Sequence, residues 1–227
     1  MNNETAPIEE IDSIIELFNA GKLTETIDKI QTLIIDFAND PILFNIAGAC
    51  YSSLNQIESA ILSYKKAILP KPDFPDFYFN LGNAYRENGQ LEEAAKNFKK
   101  TLEILPTNFP SLFNLGVINQ QLGLLHDAAE QYENAIKSEP DNISALINLG
   151  YIYQELGEFD DAIDLYLKVL ALENNNIEAL NNLGVIYREL GQIDESINCY
   201  KSVISLNPNK SESYYNLGFA YQDLGTY

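Results

Sequence analysis

Apolar residues recur along this chain at helical spacing, in paired runs. Leu146, Leu149, Gly150, Tyr153 and Leu156 fall three, one, three and three residues apart, which is one face of an α-helix. Gly157 follows at once, where a left-handed C-terminal cap belongs. A second run, Ala162, Tyr166, Val169 and Leu170, is spaced by four, three and one. Asp160 and Asp161 stand near its start, where the helix dipole favours carboxylates. The pattern predicts a helix, a tight turn and a second helix.

The same unit returns every 34 residues. Gly48, Gly82, Gly116, Gly150, Gly184 and Gly218 keep that step, and so do Gly21, Gly89, Gly123, Gly157, Gly191 and Gly225, with Asn55 filling the one gap. Asparagine is the residue after glycine that most readily takes positive φ. The two sets use all 12 glycines of the 227-residue chain, so none is left for a flexible linker, and a single domain over 1–227 is expected. With the first glycine set at position 8, the repeats run 7–40, 41–74, 75–108, 109–142, 143–176, 177–210 and a partial 211–227. Pro72, Pro106, Pro140 and Pro208 fall at position 32, where proline stops the second helix. Pro41 and Pro75 open the next first helix, where a missing N–H costs little.

Glycine at position 8 and alanine at position 20 (Ala60, Ala94, Ala128, Ala162) let the two helix axes approach closely. Large residues at positions 24 and 28 then fill the layer between neighbours. One helix pair cannot bury its apolar face alone, whereas a stack of them can.

In repeat length, the Leu-Gly pair at positions 7 and 8, Tyr at 11 (Tyr51, Tyr85, Tyr153, Tyr187, Tyr221), Ala at 20, Tyr or Phe at 24 and Pro at 32, the chain resembles the tetratricopeptide repeat (TPR) family over about residues 7–227. It departs from the family at position 4, where Trp is replaced by Phe44, Tyr78, Leu112, Leu146, Leu180 or Tyr214. Asn119, Ser196, Asn174 and Ile14 replace the Tyr at 11, the Ala at 20, the Pro at 32 and the first Gly at 8, respectively. The divergent first repeat is expected to act as an N-terminal cap with a polar outer face. The resemblance implies an all-α fold, an α-α superhelix (a TPR solenoid) of six full helix-turn-helix repeats and a truncated seventh. It also implies that the first helices line a concave groove, and that the chain binds peptides or proteins instead of catalysing a reaction.

By the same analogy, positions 2, 5, 6, 9, 12 and 13 face that groove. Position 6 is asparagine in five successive repeats: Asn80, Asn114, Asn148, Asn182 and Asn216. An amide offers two donors and an acceptor, so a row of them can hold the N–H and C=O of an extended backbone. The row is similar to that of the TPR domain of protein O-GlcNAc transferases; the alternative is that these amides support the helices locally. Position 5 carries Phe79, Phe113, Ile147, Asn181 and Tyr215, and position 9 carries Asn83, Val117, Tyr151, Val185 and Phe219. Aromatic and aliphatic groups there would form pockets for apolar anchors, or pack between repeats. Arg86 and Arg188 alternate with glutamines at position 12, but Asp76, Glu87, Glu155, Glu178, Glu189, Glu212 and Asp223 at positions 2 and 13 outnumber them. A groove of that charge favours neutral or basic ligands. The clamp by which some TPR domains hold acidic chaperone tails places Lys at positions 2 and 5 and Arg at 6, and none stands there in this chain.

A net charge of −19 repels phosphate backbones and anionic lipid, which sets aside nucleic acid and membrane as partners. No run reaches the ~18 apolar residues of a membrane span, and no hydrophobic signal region follows the polar start, so a cytoplasmic chain is expected. Cys50 and Cys199 are too far apart in sequence to suggest a disulfide framework or a zinc motif. The one histidine, His126, reads as a solvated residue at the start of a second helix, and no nucleophile or phosphate-loop motif is present. No catalytic residue, metal or cofactor is expected.

The last first helix carries Tyr214, Leu217, Phe219, Tyr221 and Leu224 with no second helix after it. Either the chain is a fragment of a longer protein, or this apolar end pairs with another copy. The leading expectation is a protein-interaction scaffold that binds an extended segment in its groove. The alternative is the substrate-recruiting arm of a larger modifying enzyme, such as a glycosyltransferase, sulfotransferase or oxygenase.

Overall fold

The computed structural model describes residues 5–225. The expected bounds at residue 1 and at Tyr227 therefore lie outside the described residues. Among the described residues there are thirteen α-helices and no strand. They are α1 (Ile8–Asn19), α2 (Leu23–Leu33), α3 (Pro41–Ser53), α4 (Ile57–Ile68), α5 (Pro75–Glu87), α6 (Leu91–Ile104) and α7 (Phe109–Gln121), followed by α8 (Leu125–Ser138), α9 (Ile143–Leu156), α10 (Phe159–Leu172), α11 (Ile177–Glu189), α12 (Ile193–Leu206) and α13 (Ser211–Asp223). Odd-numbered helices are the first of each repeat and even-numbered ones the second.

Each turn inside a repeat has one construction. Gly157 takes φ +77°, its N–H reaches the Gln154 carbonyl, and the Glu158 N–H reaches that of Tyr153 at 2.8 Å. These bonds satisfy carbonyls that the end of α9 leaves open. Asn55 does the same work at φ 58°, so the one missing glycine has a competent substitute.

The turns between repeats rely on a signal that composition hides. Repeat position 34 is Asp40, Asn108, Asn142 or Asn176 in four of the repeats. Their side-chain oxygens accept the N–H groups at the start of the next first helix, Ile42 and Leu43 for Asp40 and Ser111, Ala145 and Ala179 for the asparagines. Asp40 is buried and accepts a further bond from the Ala6 N–H at 2.7 Å, which ties the start of the chain to the second repeat.

The chain packs as two compact units, one up to Leu115 and the other from Gly116 on. In the first, α3 packs on α4, α4 on α5 and α5 on α6. In the second, α8 packs on α9, and each helix from α9 to α13 packs on the next. Position 8 explains the close approach in both. A Cβ on Gly48 would lie 2.5 Å from the Tyr64 ring, and one on Gly150 would lie 2.8 Å from the Tyr166 ring. The aromatic side chain of position 24 thus rests on the bare backbone of position 8. The first repeat solves the same problem with Ile14 and Ile30, both buried in one cluster, trading a ring on glycine for two aliphatics of middle size. The outer surface of α1 is mixed and not uniformly polar, since Ile8 and Ile15 are exposed beside Glu9, Asp12 and Glu16. At position 20 the alanines are fully buried, and of the two hydroxyl residues there Thr26 gives its hydroxyl to the Lys22 carbonyl at 2.9 Å and Ser196 to the Gly184 carbonyl at 2.7 Å.

Candidate functional site

The five asparagines of position 6 sit on first helices and are half-buried, Asn80 and Asn114 in the first unit and Asn148, Asn182 and Asn216 in the second. Four of them already hold a partner. In the second unit Asn148 donates to the Tyr132 hydroxyl at 3.3 Å, and Asn182 donates to the Tyr166 hydroxyl at 3.1 Å. Tyr132 passes the bond on to Gln120 at 3.2 Å. The ring that covers the glycine of one repeat therefore offers its hydroxyl to the asparagine of the next. In the first unit Asn80 donates to Asn45 at 3.0 Å although Tyr64 stands at position 24 before it, and Asn114, preceded there by Phe98 with no hydroxyl, accepts from Arg86. The Asn216–Tyr200 pair makes no such bond.

These phenols are buried, and their acidity shows it. Burial pushes Tyr132 up to about 12 and outweighs the bond from Asn148. Tyr166 is raised further for the same reason, against the opposing bond from Asn182. Tyr151, exposed on α9, is raised by burial and then by the Glu155 carboxylate beside it. None of these groups exchanges protons near neutral pH.

The aromatic residues expected in the groove divide into two kinds. Phe79 and Phe113 are half-buried against neighbours, Phe79 with its ring centroid 5.7 Å from that of Phe98 and Phe113 stacked on Phe109 at 5.8 Å. Ile147 is buried and lines no open surface. Tyr151, Tyr215 and Phe219 are exposed. On α13 the Tyr215 and Phe219 rings meet edge to face at 4.4 Å, and the Arg188 guanidinium of α11 lies 5.6 Å from the Phe219 ring. Arg188 also approaches Asp223 at 3.6 Å. All seven carboxylates of positions 2 and 13 are exposed.

Elsewhere the chemistry is quiet. His126 is exposed on the first turn of α8. Burial raises both thiols, Cys50 and Cys199, to about 11, which leaves little thiolate near neutral pH. Among the described residues no group of three or more His, Cys, Asp or Glu is placed to hold a metal ion, and no helix is long and apolar enough to cross a membrane. The asparagine row was legible in the sequence, but its bonds to tyrosines 16 residues away were not.

Family models described as TPR repeat match residues 48–89, 82–123 and 184–225, and models described as tetratricopeptide repeat match 113–177 and 165–198. Among solved structures the chain is similar to MamA, at 25% identity over 73% of this chain and 96% of that one, with a TM-score of 0.68. It is also similar in fold to YrrB, a TPR protein, at 21% identity over 82% of this chain and 96% of that one, with a TM-score of 0.74. PilF of Pseudomonas aeruginosa shares the fold at 14% identity over 91% of this chain and 94% of that one, with a TM-score of 0.72. No curated protein sequence matches the chain. The 34-residue step, the ring-on-glycine packing and these matches agree, and the chain belongs to the tetratricopeptide repeat family.

Proposed function

We propose that this chain is a non-enzymatic scaffold whose first helices hold an extended peptide or protein segment, neutral or basic in preference to acidic. One observation carries the reading: Asn148 and Asn182 each spend one N–H on a phenol, and an amide has a second N–H and an oxygen to offer. The phenol bond fixes each amide plane, so the remaining groups are held in place before a ligand arrives. The exposed Tyr151, Tyr215 and Phe219 would take apolar side chains in the second unit, with Asn216 and Arg188 beside them. In the first unit Asn80 and Asn114 would repeat the backbone contact, with Phe79, Phe113 and Arg86 as their half-buried surroundings. The exposed carboxylates set the charge preference. YrrB is described as having an unusual peptide-binding site, which supports the same use of the fold here.

The test is a peptide selected from an unbiased library, titrated by fluorescence anisotropy against single and combined variants. A buried amide-to-backbone bond is worth ~1 kcal/mol, so each single Asn→Ala change is expected to weaken binding about fivefold. Replacing all five should abolish it, with helicity by circular dichroism confirming the fold. Undiminished affinity after all five changes would sink the mechanism, and micromolar capture of an acidic chaperone-tail peptide would sink the charge preference.

A further inference from the structure

The second repeat departs from its neighbours on the side of the second helices. Position 7 is leucine in the later repeats (Leu81, Leu115, Leu149, Leu183), and those four side chains are buried. In the second repeat it is Ala47. Positions 19 and 23, one turn apart on the second helix, are Ser59 and Ser63 here, against Glu93 and Asn97 or Asp161 and Leu165 elsewhere. Three small residues therefore meet where other repeats place larger ones. The result is a notch of about 230 Å³ between α2 and α4, over α3. Ile27 and Ile30 of α2, Ile34 at its C-terminal cap, Phe44 and Ala47 of α3 and Leu62 of α4 supply its apolar lining, and Gln31, Tyr51, Ser59 and Ser63 add polar groups. The Ser63 hydroxyl is turned back onto the Ser59 carbonyl at 2.8 Å.

The rim carries the specificity. Lys66 is the one charged residue lining the notch, with its ammonium 5.4 Å from the Phe44 ring. No carboxylate lines the notch, although the chain carries a net charge of −19. Size decides the kind of occupant. Sites for free small molecules run to roughly 300–1,000 Å³, and this notch is smaller, with room for a single large apolar side chain.

We propose that the notch is a docking site for a partner protein segment that carries one bulky apolar side chain next to acidic residues. The apolar group enters over Ala47 and the acid meets Lys66. This site is separate from the asparagine row, and its charge preference is the opposite one, so one chain would hold two chemically different segments.

The probe is the blocked pentapeptide Glu-Glu-Phe-Glu-Glu, titrated into the isotopically labelled full chain and followed by ¹H–¹⁵N correlation spectra. Saturable shifts at Ala47, Ser59, Ser63 and Lys66 are expected, with Kd below about 1 mM. Ala47→Leu installs the side chain that the later repeats carry, so it should leave the fold intact and cost at least about tenfold in affinity. Lys66→Glu should also weaken binding. The variant lacking all five asparagines should bind the probe like the wild type, which separates this site from the groove. The proposal is overturned by the absence of saturable shifts, by equal binding to Ala47→Leu, by equal binding of Lys-Lys-Phe-Lys-Lys, or by phenylacetate alone binding as tightly as the peptide.

Discussion

Gly150 and Gly218 hold the same position in two repeats and live in opposite surroundings. The Tyr166 ring lies 2.8 Å from where a Cβ of Gly150 would stand, whereas nothing lies within 4 Å of that point at Gly218. Their neighbours differ in the same way: Tyr166 is fully buried, whereas Tyr215 is 66% exposed. Both helices carry the Asn-Leu-Gly signature, yet only α9 has a following helix to press a ring onto it among the described residues. The signature records a requirement, and the neighbour decides whether the requirement is in force.

The largest effect should separate the two tyrosines. Tyr166→Ala opens the ring's full volume beneath α9 and leaves the Asn182 amide without its phenol, at an expected cost of ~3–5 kcal/mol. Tyr215→Ala at an exposed site should stay within about 0.5 kcal/mol. Urea unfolding measures both, and similar losses would mean that α13 is as tightly packed as α9.

The glycines should differ in sign. Gly150→Ala forces the Tyr166 ring off its seat and should cost ~1–3 kcal/mol, as overpacking does. Gly218→Ala meets open space inside a helix and should gain ~0.5–1 kcal/mol, the ordinary advantage of alanine over glycine there. A loss at Gly218 would show that something covers that face in solution.

A further expected effect is alkaline. The folded state holds the Tyr132 proton up to about 12, above the ordinary phenol value near 10. The raised value means that the folded form binds more protons in that window. Its contribution to stability is therefore complete below about pH 10 and falls away as pH rises toward 12. Denaturant midpoints measured from pH 9 to 12 should show this decline, and Tyr132→Phe should reduce it. A Tyr132→Phe variant with an unchanged alkaline slope would place the titrating groups elsewhere.

How much of this was legible depends on the reach of each interaction along the chain. The C-terminal caps were readable at Gly157 and Asn55 because a cap is decided by residues within one helical turn. The asparagine caps at position 34 act over the same short range, but they were hidden among other polar residues. The ring-on-glycine contact was half readable: positions 8 and 24 stood out as small and large, but the contact itself spans two helices. Ile14 was readable as a departure at position 8, but its burial with Ile30 in one cluster was not, since the two residues lie on different helices.

The candidate groove was legible as a row of residue types and illegible as a set of bonds. Asn148 and Asn182 reach tyrosines of the preceding repeat, whereas Asn114, preceded at position 24 by Phe98 with no hydroxyl, accepts from Arg86. The Ala47 notch needs three small residues on two helices to coincide, and no single position announces it.

The sequence by itself determined the repeat, its turns and the all-α class, because a 34-residue period and local caps are properties of one strand of chain. The tertiary structure alone decided which asparagines are bound to phenols, which glycine carries a ring and where a cavity opens. Those outcomes depend on side chains brought together from separate helices, and volume and hydrogen-bond capacity are settled only where they meet.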